Sequence, residues 1–167
     1  MAENRDSARK GKAVEHLVAA TGILVSGLEL NVSTSLVDDE GVDLVFHRRE
    51  RSTTLAVQVK SRSMSANTIA KNARFIANVG ASTFRPRGDL FVLFVAVNTD
   101  DGTFDPVWLV PSEVLARRTT PNSQNRHVFS ASMKPKTNDQ WREFRLARAE
   151  LPERILSLLD DLGSVAA

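Results

Sequence analysis

The sequence predicts an α/β fold, a mixed β-sheet flanked by helices, and three observations carry that reading. β-Branched and apolar runs recur at 42–47, 53–61, 90–97 and 107–110, with turn residues between them. The earliest of these connections are too short for a parallel crossover, so the sheet begins as an antiparallel meander. An amphipathic helical pattern opens the chain and another closes it.

In order, residues 6–21 read as a helix. Val14, Leu17, Val18 and Thr21 repeat at i, i+3, i+4 and i+7, and Gly22 is the expected stop. A first strand is expected at 28–33. Asp38, Asp39, Glu40 and Gly41 supply turn chemistry. Strands follow at 42–47 and 53–61, separated by a turn at 48–52. A helical turn or two is expected at 66–72, a short strand at 75–79 and a loop at 84–88. The unbroken apolar run from Leu90 to Val97 has the pattern of a central strand buried on both faces. A turn at 100–102, a strand at 107–110 and a short helix at 111–117 come next. Late strands are expected at 127–131 and 141–147. The last helix is the plainest: Leu151, Ile155, Leu158, Leu159 and Leu162 share one face, with Pro152 near its start and Gly163 at its end.

At 167 residues, 42% hydrophobic and 25% charged, the chain has the length and composition of one globular domain spanning 1–167. It contains no cysteine, which excludes disulfide scaffolds and thiolate zinc sites and suits a cytoplasmic setting. Its first residues lack the apolar stretch of a signal peptide, and no apolar run is long enough for a bilayer, so no membrane role is expected. Net charge is only +2, but arginines cluster at Arg48, Arg49 and Arg51, at Arg85 and Arg87, and at Arg117 and Arg118. Each cluster suits phosphate contacts or a solvated loop equally well. His16, His47 and His127 show no zinc-site spacing. Phosphate-cradling glycine loops and serine-nucleophile elbows are also missing from the sequence. Trp108 and Trp141 suit core packing or surface anchoring better than base stacking.

The chemistry concentrates on two polar interruptions of apolar runs. Asp43 lies in Gly-Val-Asp-Leu-Val-Phe, and fifteen residues later Gln58 and Lys60 lie in Leu-Ala-Val-Gln-Val-Lys-Ser. On an extended strand Gln58 and Lys60 point to one face while Val57 and Val59 point to the other. If the Asp43 strand pairs alongside, an acid, an amide carbonyl and an ammonium converge. Such a set suits Mg²⁺ with a lysine beside its water, the equipment of phosphodiester cleavage. Taken singly, Asp43 could close a turn and Lys60 could guard an edge strand, so it is their pairing that favours a site.

Asp43, the Gln58-Val59-Lys60 triplet and the upstream helical Glu15 resemble the signature of the PD-(D/E)xK endonuclease superfamily in its Gln-x-Lys form. The likeness covers roughly residues 7–63 and is strongest to Mrr-type nucleases and archaeal Holliday-junction resolvases. The resemblance implies a restriction-endonuclease-like fold and a Mg²⁺- or Mn²⁺-dependent endonuclease acting on nucleic acid, DNA above all. It further implies Asp43, Gln58, the Val59 carbonyl and Glu15 as metal ligands, with Lys60 beside them as a catalytic residue. Glutamine supplies a neutral carbonyl where the superfamily more often has glutamate, so the set carries one negative charge fewer. Glu15, at the border of its helix's apolar stripe, is divided between a solvated role and the site. The competing expectation is a catalytically silent nucleic-acid- or partner-binding module on the same fold. Relatives that act as symmetric pairs imply a homodimer, although the last helix is better explained as packing on its own sheet.

Overall fold

The computed structural model describes residues 2–34 and 41–165, with side chains from residue 6 onward. The turn acids Asp38, Asp39 and Glu40 fall outside the described residues. Helix α1 (Ala2–Val25) leads into strands β1 (Leu30–Thr34), β2 (Leu44–Arg48) and β3 (Thr54–Ser63). Helix α2 (Asn67–Asn72), β4 (Arg74–Gly80), β5 (Leu90–Asn98) and β6 (Thr103–Pro111) follow. Then come α3 (Ser112–Arg118), β7 (Arg126–Ser132), the two-residue β8 (Arg145–Leu146) and α4 (Leu151–Val165).

Six strands form the main sheet in the order β1-β2-β3-β5-β6-β8. The β1–β2–β3 meander is antiparallel as expected, and β3 and β5 are parallel, with Gln58 opposite Val92 and Lys60 opposite Phe94. The sheet is therefore mixed. β5 is internal, and its residues 90–97 are all buried. Its alternating side chains feed two cores. Leu93 and Val95 join Val14 and Val18 of α1 and Ile155 and Leu159 of α4. Val92 and Phe94 join Phe75, Phe129 and Trp108 on the opposite face. That second face is covered by a separate two-stranded ribbon, β4 paired antiparallel with β7. At its centre Phe129 stacks on Phe94 with ring centroids 3.7 Å apart.

Several elements differ from expectation for identifiable reasons. α1 does not stop at Gly22; it runs on to Val25. Gly22 is a packing glycine, since a β-carbon there would lie 3.1 Å from the Phe46 ring. The stop comes at Gly27 and Leu28, both left-handed, where the Leu28 amide donates to the Ile23 carbonyl. Residues 141–147 are mostly not a strand. The Asp139 carboxylate accepts from the Trp141 amide and turns the chain into a 3₁₀ turn at Arg142–Phe144, which leaves only Arg145–Leu146 to pair with β6. α4 continues past Gly163, whose missing side chain accommodates Thr53. Its apolar face is spent on its own sheet. Trp108 and Trp141 are both core residues, each 1% exposed.

Candidate active site

β2 begins at Leu44, opposite Val57, so the second half of β3 extends beyond β2. Asp43 sits at that step. Its amide donates to the Val57 carbonyl at 3.0 Å, and its carboxylate Oδ2 accepts from the Val59 amide at 2.7 Å. The carboxylate thus stands in for a ladder bond that β2 is too short to make, and it is fixed against β3 between Gln58 and Lys60. Val59 has its N–H on this edge, and strand alternation puts its carbonyl on the same edge.

Gln58 is 7% exposed, and no described residue hydrogen-bonds to its side chain. Among the described residues no side-chain polar atom is both wholly buried and unpartnered, so the Gln58 amide is not completely sealed from the surface. Gly41 shapes its seat. At φ +67°, a β-carbon on Gly41 would lie 2.7 Å from Gln58 Nε2. Lys60, half-buried on the same face, has no carboxylate within ion-pair distance among the described residues. Asp43, Gln58, Val59 and Lys60 are thus brought together at one margin of the sheet.

Glu15 is placed differently. It is buried (8% exposed) on α1, which covers the face opposite Gln58 and Lys60, and its carboxylate accepts from Lys12 Nζ at 2.7 Å. It makes no hydrogen bond to Asp43, Gln58 or Lys60. Val14 and Val18, its neighbours, pack in the same core as Leu44, Val57 and Val59.

Carboxylate, amide carbonyl and backbone carbonyl are all hard oxygen donors, the set that Mg²⁺ or Mn²⁺ prefers. The close approach of Gly41 to Gln58 keeps that amide aimed along the margin. By donor chemistry the residues therefore fit a divalent cation. No cluster of three or more His, Cys, Asp or Glu occurs among the described residues.

The histidines stand apart from this margin. His16 is exposed, His47 is half-buried in β2, and His127 is buried with Nδ1 2.9 Å from the Thr119 hydroxyl. The Arg48 cluster is partly structural, because Arg48 bridges Glu29 and Asp160. Their hydrogen bonds raise its pKa further above the ordinary arginine value. The sequence marks Gly41 only as a turn residue, although a glycine two residues ahead of the acid is the signal for its place beside Gln58. Reading the sequence missed Arg62, which continues the i, i+2 series of Gln58 and Lys60. No helix among the described residues is long and apolar enough to cross a membrane. Neither protein-family models nor curated proteins give a match to the chain.

Proposed function

We propose that the chain is a metal-dependent endonuclease that hydrolyses DNA phosphodiester bonds, built on a restriction-endonuclease-like fold of the Gln-x-Lys form. The observation that carries the reading is the 2.7 Å bond from the Val59 amide to Asp43, which fixes an acid between Gln58 and Lys60 at the sheet margin. The element order supports the fold reading: a helix, an antiparallel meander, then a crossover to a strand parallel to β3.

Asp43, the Gln58 carbonyl and the Val59 carbonyl would hold the cation, with Glu15 joining only by exchanging its Lys12 partner. A bound divalent ion supplies Lewis acidity at the phosphate and a more acidic water. Lys60 donates hydrogen bonds to the attacking oxygen and to the charge that grows on the phosphate. Gly41 and the surrounding core keep the Gln58 amide in place before substrate arrives. A second reading, a silent nucleic-acid-binding module, is favoured by the neutral amide at 58 and the Lys12–Glu15 pair.

Plasmid and oligonucleotide DNA incubated with Mg²⁺, Mn²⁺ or a chelator separates the two. The nuclease reading expects metal-dependent cleavage that disappears in Lys60→Ala and Asp43→Asn. Cleavage equal in wild type and both variants overturns it. Binding without cleavage under every metal condition establishes the silent module instead.

A further inference from the structure

Among the described residues, the arginines divide by what holds them. Arg48, Arg87 and Arg118 are each within 3 Å of a carboxylate, so their charge is met inside the protein. Arg145 is held by the carbonyls of Ser132, Met133 and Lys134 and lies over the Trp108 ring. Arg62 and Arg74 are different. Both are exposed, and neither has a carboxylate within ion-pair distance. Each is nevertheless anchored through Nε: Arg62 to the Ile76 carbonyl at 2.9 Å, Arg74 to the Ser130 hydroxyl at 2.8 Å. Arg62 adds one Nη1 bond to the Ser61 carbonyl, and its Nη2 stays open, as do both terminal nitrogens of Arg74. Tethering at Nε by neutral acceptors presents the outer prongs of the fork at full charge, and that fork matches a phosphate.

Their positions are connected. Arg62 follows Gln58 and Lys60 on the same face of β3, and it reaches across to the β4 edge at Ile76. Arg74 begins β4 and lies over Ser130, the register partner of Ile76. The Asp139 carboxylate, which accepts from the amide of Ser132, the register partner of Arg74, is also engaged by the Trp141 amide. Among the described residues, a line of cationic side chains outside any ion pair therefore runs from the candidate site onto the ribbon.

We infer that Lys60, Arg62 and Arg74 bind the phosphate backbone of a nucleic-acid strand and lead it from the site across the β4–β7 ribbon. This inference rests on the nuclease reading for its choice of partner. It is tested on full-length protein carrying Arg62→Gln and Arg74→Gln together. Glutamine keeps a donor for Ile76 and Ser130 while removing the charge. Arg117→Gln with Arg154→Gln, two exposed arginines on α3 and α4, is the control of equal net charge. Anisotropy of a labelled duplex and of a labelled single strand of the same sequence is followed against salt in the presence of chelator.

Losing two phosphate contacts should flatten the log–log salt slope by about 1.8 on duplex or about 1.4 on single strand. The probe showing the loss identifies the form of nucleic acid, and the control should keep the wild-type slope. An unchanged slope in the paired variant overturns the inference, as does an equal loss in the control, or wild-type protein that binds neither probe. Unfolding curves confirm that both variants are folded. If cleavage needs Asp43 and Lys60 while the paired variant binds normally, this inference fails and the nuclease reading stands. If the paired variant loses binding while Asp43→Asn and Lys60→Ala cleave normally, the backbone contact stands and the assigned centre falls.

Discussion

Replacing Gly41 by alanine separates positioning of the Gln58 amide from general stability. Gly41 has φ +67°, and a β-carbon there meets Gln58 Nε2 at 2.7 Å and its Cδ at 3.4 Å. The left-handed backbone alone costs an alanine about 1–2 kcal/mol. Gln58 must then swing from a buried rotamer, which adds roughly 0.5–1.5 kcal/mol. Gly41→Ala should therefore lower unfolding stability by about 1.5–3.5 kcal/mol, the sum of these two estimates. Urea titration can be followed by the fluorescence of Trp108 and Trp141, both buried. In a Gln58→Ala background the amide is absent and only the dihedral cost remains. The double-mutant cycle should then show a coupling of about 0.5–1.5 kcal/mol. Cleavage should fall much further than the folded fraction, because the amide is turned from the margin in molecules that stay folded. Additive effects, or cleavage that tracks the folded fraction alone, would refute the steric link between Gly41 and the site.

Asp43→Asn should keep an acceptor for the Val59 amide and lose cleavage, whereas Asp43→Ala should also destabilise by about 1–3 kcal/mol by orphaning that amide. Unfolding curves of the two variants check the difference. Gln58→Glu, adding a negative oxygen, should increase the rise in melting temperature that Mn²⁺ produces; a rise no larger than wild type's counts against Gln58 as a ligand. Gly22→Ala should destabilise despite alanine's helix propensity, because its β-carbon would press on Phe46 at 3.1 Å, and a more stable variant in urea would show that the ring yields freely. Trp141→Ala should cost about 3–5 kcal/mol through the cavity it leaves beside Phe129, measured by urea unfolding.

The meander and β5 are legible in the sequence because burial on one face or both leaves an alternating or continuous apolar signature. β4 and β7 are legible as strands at 75–79 and 127–131, but not as partners. Alternation records which face of a strand is buried and says nothing about which strand lies beside it. Residues 141–147 mislead because Trp141, Phe144 and Leu146 are apolar enough for a strand, while the deciding group is the Asp139 carboxylate that turns the chain. Gly22 and Gly163 both read as helix stops, yet each sits inside a helix where a neighbouring side chain needs its space. At the site, the shared face of Gln58 and Lys60 follows from spacing alone. The bond from the Val59 amide to Asp43 does not, since it depends on β2 starting at Leu44, two residues later than expected, and leaving β3 overhanging. Arg62 and Arg74 stand out only once their neutral anchors are seen.

The ribbon also imposes an order on biogenesis. Every residue of the sheet margin, from Asp43 to Arg62, is made before β5 ends, and the strands that carry them neighbour one another along the chain. β4 is made early too, but its ladder partner β7 lies beyond β6 and α3. On the ribosome, the wall that holds Arg74 over Ser130 and receives Arg62 at Ile76 waits for that later stretch to emerge. Until then Phe75, Ala77 and Val79 lack the strand that completes their layer. This long-range pairing is of the kind that slows folding and leaves an edge open to misassociation.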